Sequence, residues 1–114
     1  MTREIKKYLF DIHSSIESIN SFIGVKKDFF EFQNNTLVKR AVERELQIIG
    51  EAINKITKID QSISITNARK IVDLRNFIIH SYDKVSEEII WSIIIKDIPI
   101  LEKEINAVLQ DDLP

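Results

Sequence analysis

From Ile5 to Ile23 an apolar stripe runs through Ile5, Tyr8, Leu9, Ile12, Ile16, Ile19 and Ile23. That is the i, i+3, i+4, i+7 spacing of one helix face, sustained over about five turns. A strand cannot bring this pattern to one side, because its side chains alternate with period two. The period returns at Val38, Ala41, Val42, Ile49, Ala52, Ile53 and Ile56. Isoleucine is the commonest residue and favours strands by propensity, but periodicity outranks propensity. Two glycines and two prolines are too few to turn the corners of a β protein. The chain reads as all-α.

Capping residues place the element ends. Gly24 stops the first helix. Residues 26–32 form a short helical connection whose phenylalanines drop onto the core, in preference to the base-stacking platform that flanking lysines would allow. Asn34-Asn35-Thr36 caps the longest helix, predicted over 37–57, in which Glu45 falls inside the apolar stripe. Gly50 in mid-helix costs up to ~1 kcal/mol relative to alanine, which points to a close helix crossing. Residues 58–66 make a loop, with Thr66 placed to cap the next helix.

A turn at Asp83-Lys84-Val85 then leads to Ser86-Glu87-Glu88, a helix start with acids at the positive end of the dipole. The last helix runs to about Gln110, kinked where Pro99 removes the bond to the Ile95 carbonyl, and residues 110–114 fray. Four substantial helices and one short one, with short connections, predict an up-and-down four-helix bundle in a single domain over 1–114. Ile89, Ile90, Trp91, Ile93, Ile94 and Ile95 leave the last helix almost no polar face, and a dimer is the economical way to cover it.

Composition removes several function classes. There is no cysteine, and the two histidines, His13 and His80, lie 67 positions apart without a metal-binding pattern. No metal and no cofactor are expected. No glycine-rich phosphate loop can form, and no apolar run suits a membrane or a secretion signal, so a cytoplasmic protein is expected. A net charge of −2 argues against broad nucleic-acid binding, although Arg69, Lys70 and Arg75 could make a local basic site. His13 reads as a solvated helix residue.

Arg75-Asn76-Phe77-Ile78-Ile79-His80-Ser81-Tyr82 departs from ordinary bundle sequence. On a wheel with Ile71 at zero, Val72, Leu74, Phe77, Ile78 and Ile79 form one apolar arc, and Asp73, Asn76 and His80 lie on the polar side. Arg75, near ~40°, and Tyr82, near ~20°, fall inside the apolar arc. A guanidinium there needs a carboxylate or a cleft, since it cannot shed its charge. Glu45 and Glu51 are the candidate carboxylates. Chemically, Arg75 can hold a phosphate bidentately, His80 can move a proton at neutral pH, and Asn76 can fix the imidazole or the substrate. An RNA substrate supplies its own 2′-hydroxyl nucleophile.

The spacing Arg75-Asn76-x3-His80-x-Tyr82 resembles the R-x4-H-x-Y motif of the HEPN superfamily, and the chain looks like its HepT type. Ala41-Val42-Glu43-Arg44, Gln47-Ile48-Ile49-Gly50-Glu51-Ala52, Ile90-Trp91 and Asp97-Ile98-Pro99-Ile100-Leu101 agree, in family order, across most of residues 37–101. The resemblance implies a homodimeric helical bundle, two motifs facing a shared cleft, and a ribonuclease toxin that works without metal. It implies Arg75 and His80 as catalytic, with Asn76 in support; Arg69 and Lys70, from the local basic site read above, are the candidates for holding RNA. It also implies an MNT-type nucleotidyltransferase antitoxin that transfers AMP to Tyr82, with higher assembly of the pair left open. The competing expectation is a non-catalytic module in which the motif binds a nucleotide or docks the transferase.

Overall fold

Each predicted helix forms, and most ends fall on the residues that cap them. The structure, a computed structural model, describes residues 1–80 and 86–111 and, within these, every side chain except that of His80. The predicted turn at Asp83–Val85, the motif residue Tyr82 and the last residues of the frayed tail lie outside the described residues. Helix α1 spans Arg3–Ile23. Thr2 Oγ1 accepts the Ile5 N–H at 3.1 Å, and Gly24, at φ +71°, ends the helix in a backbone conformation that side chains resist.

The short α2, Phe29–Gln33, is capped by Asp28, whose Oδ1 accepts the Phe30 and Glu31 N–H groups. Phe29 and Phe32, three apart on one face, lean on Trp91 with ring centroids 5.7 and 5.2 Å away. Phe30 differs from expectation. It is 72% exposed, because a helix of five residues has one buried face and its two neighbours occupy it.

Helix α3 covers Thr36–Ile59, with Asn35 as its cap. It outruns the predicted end at Thr57, whose hydroxyl donates to the Asn54 carbonyl inside the helix, and closes at Asp60 instead. Helix α4, Ala68–His80, carries the motif. Thr66 does not cap it. Its N–H and hydroxyl both donate to the Glu104 carboxylate. The residue before α4 is Asn67, at φ +60°, whose carbonyl accepts the Ile71 N–H.

The last helix is built from α5, Glu87–Ser92, a π-helical turn over Ile93–Asp97, and α6, Ile98–Asp111. Ser86 caps its start. The expected disturbance at Pro99 takes the form of this wide turn just before the proline, in which the Ile98 N–H reaches back five residues to the Ile93 carbonyl.

Cross-links fix the topology. Thr66 meets Glu104, whereas Asn67 and Lys70 both meet Asp97, so α4 and the last helix run antiparallel. The result is the all-α up-and-down bundle. Fourteen of the twenty-one buried core hydrophobics are isoleucine, so the isoleucine excess serves helix packing. The extents are 44 × 30 × 19 Å, and a thickness of 19 Å is about two helix diameters. A slab of two layers leaves each helix an outer face.

Candidate functional site

The crossing of α3 over α4 explains the site. A Cβ built on Gly50 would lie 2.5 Å from the Arg75 Cβ, 3.1 Å from its Cγ and 3.3 Å from the Ile71 carbonyl oxygen. Only glycine admits α4 this closely. The aliphatic stem of Arg75 fills the space that a side chain at position 50 would take. This is how an arginine sits inside an apolar arc: its carbons pack on bare helix backbone while its head reaches the edge.

That head is held at two points. Nη2 donates to Glu51 Oε2 in an ion pair, and Nη1 donates to Asn76 Oδ1 at 2.9 Å. Nε is buried with no partner among the described residues. The side chain is 25% exposed and that of Glu51 42%, so the pair lies at a cleft wall and not in a dry interior. Of the two candidate carboxylates, Glu51 is therefore the partner. Glu45 faces α1, where it accepts the hydroxyl of the buried Ser15 at 3.1 Å.

Arg75 opens onto a cleft of about 300 Å³ between α1, α3 and α4. Lys7 and Tyr8 line it from α1, and Arg44, Gln47 and Glu51 from α3. Arg69 and Lys70 are elsewhere. They line a separate groove of about 610 Å³ between α4 and α5, walled by Leu74, Phe77, Ile89 and Ile93. There Arg69 pairs with Asp73 at 3.3 Å. Lys70 Nζ lies 3.0 Å from Asp97 Oδ2, close enough for charge attraction but off the direction of a hydrogen bond. The basic site of Arg69, Lys70 and Arg75 is thus divided between two concavities. His80 is the last residue of α4, one turn beyond Asn76.

A protein-family model described as ribonuclease HepT-like matches residues 12–108. The chain belongs to that family. A candidate RNase from Methanocaldococcus jannaschii is 37% identical over 110 residues, which covers 93% of this chain and 97% of that one. A second, from Caldanaerobacter subterraneus, is 36% identical over 85 residues, covering 74% and 76%. The "Probable ribonuclease HepT" of Thermococcus cleftensis is 33% identical over 103 residues, covering 90% and 93%. No solved structure matches significantly.

In this HepT-like chain, sequence reasoning brought Arg75, Asn76 and Glu51 to one place. It missed the cleft residues Lys7, Tyr8, Arg44 and Gln47. A signal for the last two was present: Arg44, Gln47 and Glu51 stand at i, i+3 and i+7, one polar stripe along α3.

Proposed function

We propose that this HepT-like chain is the toxin of a toxin–antitoxin pair, an endoribonuclease that works without a metal ion. The observation that carries the reading is the anchored guanidinium of Arg75. A guanidinium has five N–H donors. Glu51 takes one from Nη2 and Asn76 one from Nη1, which leaves one N–H on each terminal nitrogen at the cleft wall. One donor on each terminal nitrogen of a held guanidinium suits the bidentate grip of a phosphate. Because Glu51 and Asn76 orient that plane in advance, little reorganisation is needed as charge builds on the phosphate oxygens.

In the proposed reaction the RNA 2′-oxygen attacks the adjacent phosphorus. His80 takes the proton from that hydroxyl, the new O2′–P bond forms, and the P–O5′ bond breaks. The departing O5′ receives a proton from the imidazolium so formed, which returns His80 to its starting state and leaves a 2′,3′-cyclic phosphate and a 5′-hydroxyl end. No external nucleophile enters. The absence of cysteine and the separation of the two histidines support a mechanism built on side chains alone. A homodimer that brings two motifs to one cleft fits the apolar faces left outside the bundle. Regulation follows from Tyr82, two residues past His80: a nucleotidyltransferase moves AMP from ATP onto its phenolic oxygen, releasing pyrophosphate, and the added phosphate competes for Arg75.

The test is cleavage of RNA by purified protein in excess EDTA, wild type beside Arg75→Ala and His80→Ala. Cleavage that both variants lose supports the reading. Cleavage retained by both marks a contaminant, and none by unmodified wild type transfers the motif to a docking or nucleotide-binding role. The regulatory part is checked by intact mass after incubation with the transferase and ATP. A gain of AMP that survives Tyr82→Phe sinks that assignment.

A further inference from the structure

Within the Arg75 cleft, four charges cancel in pairs. Lys7 Nζ stands 3.3 Å from Asp11 Oδ2, and Arg75 is tied to Glu51. Arg44 is left over. It is exposed and makes no ion pair or hydrogen bond among the described residues, so the net positive charge of the cleft is its own. Arg44 precedes Glu51 by seven residues, two turns of α3, which is ~10 Å by helical rise. Arg44 and Arg75 therefore line one cleft, with the α3 position of Arg44 two turns from that of the Glu51 that holds Arg75. Between them on the stripe stands Gln47, an amide able to pair with a base edge. Across the cleft is the half-buried ring of Tyr8, with Lys7 Nζ 5.0 Å from its centroid.

We infer that Arg44 forms a second phosphate subsite of this cleft, one that holds single-stranded RNA by the phosphate flanking the bond to be cut. The inference rests on the ribonuclease reading for which phosphate is cut, but not for the existence of the subsite. An arginine with no ion pair among the described residues, beside a neutralised one, separates the tasks. Arg75, oriented by Glu51, faces the reacting phosphate, and Arg44 anchors the strand. Single strands suit the arrangement because an aromatic face and an amide can engage unpaired bases, which a duplex keeps stacked.

The experiment measures affinity for a fluorescein-labelled, 2′-O-methyl single-stranded oligoribonucleotide, which cannot be cut, across a salt series. Wild type is compared with Arg44→Gln and Arg44→Lys. Arg44→Gln should weaken binding about five- to tenfold and flatten the salt slope by ~0.7, one phosphate contact on a single strand. Arg44→Lys should keep the slope. Since Arg44 has no ion-pair or hydrogen-bond partner among the described residues, thermal midpoints should be unchanged, which separates a binding role from a structural one. An unchanged slope in Arg44→Gln overturns the subsite even if the wild type cleaves RNA. An Arg44-dependent slope in a protein that cleaves nothing keeps the subsite and removes the nuclease reading. No binding by wild type overturns the subsite outright.

Discussion

Position 50 and position 75 share one volume, and substitution at either is felt at both. Gly50→Ala gains up to ~1 kcal/mol of helix propensity. Its Cβ, however, meets the Arg75 Cβ at 2.5 Å, an atom fixed to backbone, and overpacking costs about 1–3 kcal/mol. The net loss should be up to about 2 kcal/mol in urea unfolding, and the proposed RNA cleavage should fall with it, because Arg75 is displaced. A different residue shows pH dependence. Burial raises the Glu43 carboxyl above its ordinary value, against the lowering by Arg40 and Lys39 and with a further rise from Glu87. The folded state therefore holds this proton at a pH where the unfolded chain has released it. The associated stability is present below the ordinary carboxylate range and is lost as pH rises through the raised value. Relative to wild type, Glu43→Gln should gain stability with rising pH across that window in urea titrations. At this scale the sequence was partly legible. The wheel put Arg75 in the apolar arc and narrowed its partner to Glu45 or Glu51. The choice between them depends on which face of α3 meets α4, and a wheel of one helix carries no such information.

Among the elements, the last helix shows how a local defect becomes a joint. The π-helical turn before Pro99 carries Asp97 inward, to 5% exposure, where its Oδ1 accepts the Asn67 side-chain amide at 2.9 Å and its charge faces Lys70. This fixes the residue before α4, at its positive φ. Asp97→Ala should cost about 1–3 kcal/mol, the usual loss when buried polar partners are stranded. Protease susceptibility between α3 and α4 should rise with it. A variant as stable and as resistant as wild type would show that the joint has no such role. Pro99 announced a disturbance in the sequence, yet not its form: a kink, a break and a wide turn all satisfy a missing N–H. The true role of Thr66 was equally hidden, because its partner Glu104 lies 38 residues away. Caps formed by neighbours in sequence, such as Asn35 and Ser86, were read correctly because they need no tertiary knowledge.

For the whole molecule, thinness is the governing fact. Two helix layers cannot enclose the last helix, and its apolar surplus emerges where expected, with Ile89 54% exposed and Phe77 58% exposed across the groove from it. In the proposed homodimer this face is where a second subunit would pack. Phe77→Asp should then shift the protein to monomer in light scattering after gel filtration while leaving its helical circular dichroism intact. A variant that stays dimeric places the contact on another face. The Gly50 crossing has a further consequence in genetics. Every missense change at that codon adds a Cβ, so no substitution there can be silent towards Arg75. If the protein is the toxin proposed above, then in a selection for cells that survive its expression without the proposed antitoxin, codon 50 should return escape alleles as often as the motif itself, across chemically unrelated residues, from full-length protein that still folds.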